Sequence, residues 1–387
     1  MKKLKVAVLT TNRADYGLLY YPMKAIEAHP TLELLVIAAG AHLSRQHGYS
    51  LEKIEADGFE VAHKIEALQP EGDDSAHAAA QAAARASLCY ADAYRALKPD
   101  LLLVLGDRFE VLAACQTALI MSLPIAHIAG GDLTLGAFDD SFRHAITKLS
   151  HIHFPTNARA ARLLVQMGEE PERVHMVGSP GIDYIKSMRY LNREQLEESL
   201  SIKLRKKILL TTFHPETLSG EWLDSLSNLL KVLSELDQDH SLIFTAPNND
   251  PGGAEARKLI ETFVAERSNA HLFENLGSTR YLSLMSLSNC VVGNSSSGLY
   301  EAPALKVATL NIGDRQADRL SASSVVNAAG DVDSLRQGLT RALSLDCSET
   351  VSPYGDGSAS QRIMDVLANI AEQYDLGKLL RKRFHHV

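Results

Sequence analysis

The sequence lacks the features that mark several large classes of protein. Its 39 basic residues are outnumbered by 47 acidic ones, and its formal net charge of −8 comes with no long basic run. Binding to nucleic acid or to a membrane surface depends on clustered positive charge, so neither partner is expected. No segment approaches the roughly 18 consecutive apolar residues of a membrane-spanning helix.

Cysteine is also scarce, and its spacing is uninformative about metals. The four cysteines stand far apart without a CxxC pair: Cys89, Cys115, Cys290 and Cys347. This spacing argues against a zinc site or a redox pair and favours reduced thiols in a cytoplasmic protein. A Walker A motif, a GxGxxG after the first strand and a DxD-type metal pair are missing too, which disfavours NTPases, dinucleotide oxidoreductases and metal-dependent sugar transferases. We therefore expect neither a metal nor a cofactor.

What the sequence does contain is the composition of a globular protein with two or three domains. It has 387 residues, of which 45% are hydrophobic and 22% charged, and both values are ordinary for globular chains. Short apolar runs alternate with longer amphipathic ones, which predicts βαβ units and parallel sheets. The predicted strands are Lys5–Leu9, Leu32–Ala38, Leu101–Leu105, Ile125–Ile128, Val174–Val177, Ile208–Thr212, Leu242–Thr245, Ala270–Phe273, Cys290–Val292 and Ala308–Ile312.

A stretch rich in glycine and proline, VGSPGID at 177–183, divides the chain. We place an interdomain hinge there, which gives predicted domains over 1–178 and 179–365. Two open α/β domains imply a cleft lined by the loops at the carboxyl ends of their strands, where nucleotides usually bind.

The first candidate site follows the strand Leu101–Leu105. GDRFE at 106–110 places Asp107 and Arg108 just before a helix, where a carboxylate beside a guanidinium could serve as a general base with a substrate clamp. An aspartate N-cap with a surface salt bridge is the alternative. The position in the expected cleft favours the first interpretation.

A second group of titratable residues follows the next strand. Adjacent glycines precede two aspartates at a helix start, and one of the pair could simply cap that helix. The titratable residues of the segment are His127, Asp132, Asp139, Asp140, Arg143, His144, His151 and His153. A metal site is disfavoured because no HExxH spacing is present.

The second half holds a candidate anion site. VVGNSSSGLYEAP at 291–303 predicts a strand, a turn and a helix, whose free amides and serine hydroxyls would suit a diphosphate. Glu301 could accept hydrogen bonds from ribose hydroxyls, and Arg315 and Arg319 follow the next strand. The alternative is an ordinary serine-rich helix cap. His214, just past another strand, suits proton transfer or a phosphate contact, although lone loop histidines are more often plain surface residues.

Taken together and in order, these motifs resemble those of the hydrolysing UDP-N-acetylglucosamine 2-epimerases. The matching segments are TNRADYG (11–17), GDRFE (106–110), HIAGGDLTLGAFDDSFRHAITKLSH (127–151), VGSPGID (177–183), FHPET (213–217), NNDPGG (248–253), GNSSSGLYEAP (293–303) and NIGDRQADR (311–319). The resemblance implies an α/β, GT-B-like fold of two Rossmann-like domains around a cleft, with a C-terminal helix at about 366–387 returning to the first domain. It also implies a UDP-HexNAc substrate and a homodimer or homotetramer.

The resemblance assigns roles to individual residues. Asp107 and Asp139 match the acid/base carboxylates, and His214 and Arg315 match groups that serve the diphosphate and acid catalysis. The substrate-binding and UDP-binding residues are then Arg13, Arg108, His127, Asn249, Ser295, Ser296, Ser297, Gly298, Glu301 and Arg315.

One position departs from the family pattern. Where many members read HIEGG, this chain has Ala129, so Asp132 or Asp139 does the work of that glutamate or the substrate differs beside it. The expected reaction converts UDP-GlcNAc and water to N-acetylmannosamine and UDP, by elimination of UDP and hydration of a 2-acetamidoglucal. The alternative is the same reaction on UDP-2,4-diacetamido-2,4,6-trideoxyglucose, and a GT-B glycosyltransferase or an inactive nucleotide-sugar binder is more distant.

Overall fold

The structure, a computed structural model, describes residues 2–45, 49–67, 75–133, 139–215, 222–247 and 252–386. The chain divides into two compact units. Unit 1 comprises Met1–Tyr184 and Gly357–Val387, and unit 2 comprises Ile185–Asp356. Within the described ranges, no helix is both long and apolar enough to cross a membrane.

Unit 1 is built on a parallel sheet in the order β3-β2-β1-β4-β5-β6. Its strands are β1 (Leu4–Thr10), β2 (Leu32–Ala39), β3 (Val61–Ile65), β4 (Leu101–Leu105), β5 (Ile125–Ile128) and β6 (Ile152–Phe154). The inner strands are continuous apolar runs because helices cover both faces of the sheet. These helices are α1 (Arg13–Ala28), α2 (Leu51–Ala56), α3 (Ala76–Leu97), α4 (Phe109–Ile120), α5 (Asp139–Leu149) and α6 (Ala158–Gln166).

Unit 2 repeats the same plan without a recognisable sequence repeat. Its parallel sheet has the order β12-β11-β10-β7-β8-β9, with β7 (Lys207–Thr212), β8 (His240–Thr245), β9 (Ala270–Phe273), β10 (Cys290–Gly293), β11 (Ala308–Ile312) and β12 (Val325–Ala328). The helices from the unit boundary onward are α7 (Pro180–Ser187), α8 (Arg193–Leu200), α9 (Trp222–Ser234), α10 (Gly253–Ala265), α11 (Gly277–Leu287), α12 (Ser297–Ala304) and α13 (Val332–Ser344).

Both sheets have the strand order of a Rossmann fold, in which the chain reverses direction across the sheet once. The reversal lies between β1 and β4 in unit 1 and between β7 and β10 in unit 2. Loops that leave two such neighbouring strands diverge to opposite faces, and the crevice between them is the usual ligand site of this fold. The predicted α/β class with two parallel sheets is therefore confirmed.

The C-terminal segment returns to unit 1 through α14 (Ala359–Gln373) and α15 (Leu376–Leu380). Ile363, Met364 and Leu367 of α14 are buried in the core of unit 1. The carboxylate of Asp183, in the first turn of α7, accepts hydrogen bonds from the first two amides of α14, at 3.0 and 2.6 Å. Unit 1 extends to Tyr184 and begins again at Gly357, compared with the expected division after residue 178 and the expected return at about residue 366.

One predicted strand is wrong, and three strands, β3, β6 and β12, were not predicted. Val174 forms only an isolated bridge to His153, and β6 is the sixth strand of the sheet. A longer ladder is prevented because Pro155, directly after β6, has no N–H to donate. The unpredicted β3 and β12 are edge strands with mixed burial, which weakens their apolar pattern. Each of the other predicted strands is confirmed.

Candidate active site

Arg13 stands at the start of α1, where the chain leaves β1. Asn12 caps the helix by accepting from the amides of Ala14 and Asp15. The guanidinium of Arg13 is exposed and donates to the carbonyl of Tyr49 at 3.2 Å. Arg13 is therefore presented at the carboxyl edge of the unit 1 sheet, as a binding arginine should be.

A buried polar network holds the turn after β1 against the segment after β2. Asp15 accepts from the hydroxyl of Thr10 and from the amide of Thr11 at 2.9 Å. Because that hydroxyl donates to Asp15, it accepts from Nε2 of His42 at 2.8 Å, and Nδ1 of His42 then accepts from Ser50 at 2.7 Å. Burial lowers the pKa of His42 to about 4 and favours its neutral form. No sequence motif indicated this network.

Asp107 lies in an ion-pair cluster organised by Arg143. Arg143 projects from α5, with only 8% of its side chain exposed. Its Nη2 donates to Asp107, and its Nη1 donates to Asp140 at 3.3 Å and to the Asp132 carbonyl at 2.7 Å. One guanidinium thus joins the turn after β4 to the first turn of α5, which also contains Asp139. Arg143 was not among the predicted site residues, although its spacing of three residues from Asp140 was a usable signal.

Asp132 and Arg108 are engaged in other contacts. The Asp132 carboxylate accepts from Asn157 at 2.9 Å and from Thr156 at 3.3 Å, so it anchors the loop after β6. Arg108 donates to both carboxylate oxygens of the buried Glu110, at 3.1 and 3.2 Å.

His127 is enclosed within the unit 1 sheet. Its Nε2 donates to the carbonyl of Gly106 at 2.8 Å, and its Nδ1 has no hydrogen-bond partner among the described residues. Burial lowers its pKa to about 3. The His127 side chain therefore holds the turn that contains Asp107 through its hydrogen bond to Gly106. Two residues on, Ala129 has a positive φ of 64°.

The turn after β10 depends on two glycines. Gly293 has φ of 127°, and a Cβ there would lie 2.0 Å from the carbonyl oxygen of Thr212. A Cβ at Gly298 would lie 2.6 Å from Cγ2 of Thr309. No other residue fits either position without displacing the neighbouring strand. The glycines therefore bring the N-terminus of α12 close against the sheet edge.

The predicted serines surround this helix start. Ser295 and Ser296 are half-buried, and Ser297, the first residue of α12, is buried. The hydroxyl of Ser297 donates to that of Ser295 at 3.1 Å and lies 2.6 Å from the Tyr281 hydroxyl.

Glu301 lies one turn into the same helix. Burial raises its pKa, and its Oε2 is enclosed without a hydrogen-bond partner among the described residues. A carboxylate in this state is completed by a donor such as a sugar hydroxyl.

Arg315 and His214 reach the same turn from β11 and β7. Arg315 donates to the carbonyl of Asn294 at 3.1 Å, and both backbone polar groups of His214 bond to the Asn294 side chain. Beside them, a cavity of about 540 Å³ opens at the ends of β11 and β12 and is lined by Trp222 and Gln316, among other residues. Asn249, also predicted to bind substrate, lies outside the described residues.

No cluster of three metal-binding side chains occurs among the described residues. The turn of unit 2 after β10, with its hydroxyls and an arginine, suits an anionic, hydroxylated ligand.

A family model described as UDP-N-acetylglucosamine 2-epimerase matches residues 24–368. The chain belongs to that family. It is 39% identical over 330 residues to the hydrolysing GDP/UDP-N,N'-diacetylbacillosamine 2-epimerase of Campylobacter jejuni, and the match covers 85% of each chain. It is 30% identical over 368 residues to the hydrolysing UDP-N,N'-diacetylbacillosamine 2-epimerase of Legionella pneumophila, covering 95% of this chain and 96% of the relative.

The fold of a solved epimerase agrees with this assignment. UDP-GlcNAc 2-epimerase from Neisseria meningitidis, solved with UDP-GlcNAc bound, superposes with a TM-score of 0.78 at 19% identity, covering 95% of this chain and all of that one. The predicted family, hydrolysing UDP-HexNAc 2-epimerases, and the predicted enzyme class are confirmed. The roles of individual residues stay predictions.

Proposed function

We propose that this 2-epimerase family member hydrolyses a UDP-2-acetamido sugar with inversion at C2. The observation that carries the proposal is the turn of unit 2 after β10. It places the serine hydroxyls of Ser295 and Ser296 and the guanidinium of Arg315 at the start of α12, whose first amides bond within the turn. The enclosed Glu301 carboxylate stands one turn further on. Such a turn suits a diphosphate whose ribose hydroxyls donate to a carboxylate.

The substrate we favour is UDP-N,N'-diacetylbacillosamine, the 2,4-diacetamido-2,4,6-trideoxy sugar. Two relatives at 39% and 30% identity have names that specify this sugar, which reverses the order expected from sequence. Ala129 has a smaller, uncharged side chain where, by the resemblance, many members carry a glutamate. UDP-GlcNAc is the second candidate. Because the name of the Campylobacter jejuni relative covers both GDP and UDP, both nucleotides belong in the assay.

The reaction proceeds by elimination followed by hydration. The C1–O bond breaks with its electron pair going to the UDP oxygen, while a carboxylate removes the C2 proton and a C1=C2 double bond forms. Water then adds its oxygen to C1, and C2 takes a proton on the opposite face. Because no carbonyl acidifies C2, departure of UDP leads, and the turn after β10 must stabilise the developing diphosphate charge.

The proton chemistry is assigned to unit 1. Asp107 and Asp139 are the candidate acid and base, and substituting either with asparagine should lower kcat about a hundredfold or more with little loss of UDP affinity. Asp132→Asn should act mainly through the loop that it anchors on Asn157 and lower kcat less. Full activity in the Asp107 or Asp139 variant would remove that residue from the mechanism.

An isotope experiment tests the reaction class. Product made in deuterated water should be a free manno-configured sugar with one deuterium at C2, and labelled water should leave its oxygen at C1 and none in UDP. A transferase that only hydrolyses its donor would keep the original C2 hydrogen. Retention of that hydrogen would therefore refute the proposed elimination.

Nucleotide binding can be tested without turnover. UDP at a hundredfold excess over Kd contributes about 2.7 kcal/mol, so the Tm should rise by several degrees. Arg315→Ala should remove much of that shift. Arg336→Ala, which changes an exposed arginine paired with Glu235 in the same unit, is the control and should leave the shift intact.

We also propose that the enzyme acts in the cytoplasm as a homo-oligomer. In unit 1, α3, α4 and α5 line an apolar groove of about 700 Å³, and the described side chains that line it are uncharged. Leu88 and Ile120 on these helices are 72% and 75% exposed. In a symmetric interface between two copies, the same surface patch of each copy faces the other. An uncharged patch avoids like-charge repulsion in such an interface.

Light scattering tests the proposed oligomer. Leu88→Glu and Ile120→Glu should release monomers, whereas Val351→Glu, at a 78% exposed position in unit 2, should not. A monomeric wild type at micromolar concentration would refute this interface.

A further inference from the structure

One asparagine side chain bridges the two strands that flank the reversal point of unit 2. Asn294 follows β10 and is fully buried. Its Oδ1 accepts from the backbone N–H of His214 at 2.7 Å, and its Nδ2 donates to the carbonyl of His214 at 2.7 Å. Because one partner is a donor and the other an acceptor, the orientation of the amide is determined by its contacts.

These two hydrogen bonds between Asn294 and His214 extend the pairing of β7 and β10 beyond the end of their backbone ladder. β7 and β10 are neighbours in parallel register up to Thr212 and Gly293. One residue further, the backbone N–H of Asn294 still donates to the Thr212 carbonyl at 3.2 Å. Past that point the two chains leave for different helices, and backbone pairing ends. The Asn294 side chain replaces the next rung, so the backbone of His214 stays fixed although it has left the strand.

The same residue also ties down the third loop of the site. Its carbonyl accepts from Arg315 at 3.1 Å and from Gln316 at 2.9 Å. The loops after β7, β10 and β11 therefore all meet at Asn294. Each of its polar atoms bonds to at least one protein group.

We infer that Asn294 is a positioning residue of the reaction, which acts by holding the backbone from which the His214 imidazole projects. The inference rests on the proposed function and on the role in diphosphate binding or acid catalysis that the resemblance implies for His214. A catalytic group displaced by about 1 Å can lose a hundredfold in rate. Deleting the amide frees both polar groups of the His214 backbone and allows such a displacement.

The test is a double-mutant cycle on the full-length enzyme. Asn294→Ala should lower kcat about a hundredfold with a change in KM below threefold, and His214→Ala should lower kcat by at least as much. If Asn294 acts through His214, the double variant loses no more than threefold beyond His214→Ala. Should Asn294→Ala fail to fold, Asn294→Asp retains the acceptor for the His214 N–H and completes the same cycle.

Asn269→Ala is the matched control. Asn269 is also a buried asparagine of unit 2, and its amide donates to the carbonyl of His240 at 2.8 Å at the opposite, amino edge of the sheet. It should lower the Tm and leave kcat unchanged. Additive effects of Asn294 and His214, or an equal loss of kcat in Asn269→Ala, would overturn the inference. A wild type that turns over none of the nucleotide sugars would instead refute the proposed function.

Discussion

The contribution of Arg143 to unit 1 can be estimated from its contacts. Arg143→Ala removes the hydrogen bond that the charged guanidinium donates to the Asp132 carbonyl, and the loss of such a bond costs about 1.5–3 kcal/mol. It also leaves Asp107 and Asp140 without their shared cation. Breaking a fully buried ion pair costs about 3–5 kcal/mol, but these carboxylates are 24% and 28% exposed, so their share is smaller. We expect a total loss of about 3 kcal/mol in the free energy of unfolding.

Thermal and denaturant unfolding measure this loss directly. For a unit of this size about 3 kcal/mol corresponds to a fall in Tm of roughly 6–12 °C. Arg143→Lys keeps the charge but cannot form the planar fork that reaches three acceptors, so its loss should be about half. Arg95→Ala is the control, because Arg95 forms an exposed pair with Asp92 on α3, and such pairs contribute little.

Two results would refute the reasoning. The first is an Arg143→Ala variant as stable as the Arg95→Ala control. The second is an Arg143→Lys variant with wild-type stability, since charge alone and not the fork would then hold the cluster.

Three further predictions concern the fold around the site. Gly293→Ala should destabilise unit 2 severely, because its Cβ would lie 2.0 Å from the carbonyl oxygen of Thr212. Gly17→Ala is the control, because its Cβ would meet no described atom within 4 Å. It should stabilise α1 by about 0.4–1 kcal/mol in denaturant melts. The pKa of His42 is about 4 in the fold and 6.5 unfolded, so the unfolded state binds more protons between these pH values. Stability should therefore fall as pH drops from 6.5 to 4, and His42→Gln should reduce that fall by about 3 kcal/mol. Lys382→Met removes the ammonium that lies 2.9 Å from the buried Glu169 carboxylate and donates to the carbonyl of Ser150 at 2.7 Å. Hydrogen exchange should therefore show faster exchange in the C-terminal segment.

The sequence alone determined the α/β class and the positions of the chemical groups along the chain. Buried parallel strands are apolar along their whole length, and turns with polar residues follow them, so the linear pattern predicted that Asp107 and Ser295–Gly298 follow strands. The roles of these residues come from the resemblance and stay predictions. Edge strands such as β3 were not predicted because their alternation of apolar and polar residues is weak. The strand predicted at 174–177 is wrong because the apolar pattern of that segment contains no information about Pro155, which directly follows the neighbouring strand β6 and has no N–H to donate.

Tertiary structure decided which side chains support those groups. Arg143 and Asn294 act across elements that are 36 and 80 residues apart in sequence, and a linear motif does not encode which partner a guanidinium or an amide finds. The burial of His127 likewise depends on helices that cover the sheet in which it lies, although the resemblance placed it among the substrate-binding residues. Composition and hydrophobic periodicity indicate whether each segment forms a helix or a strand. Hydrogen-bond partners and shifted pKa values arise only when segments distant in sequence pack together and exclude water.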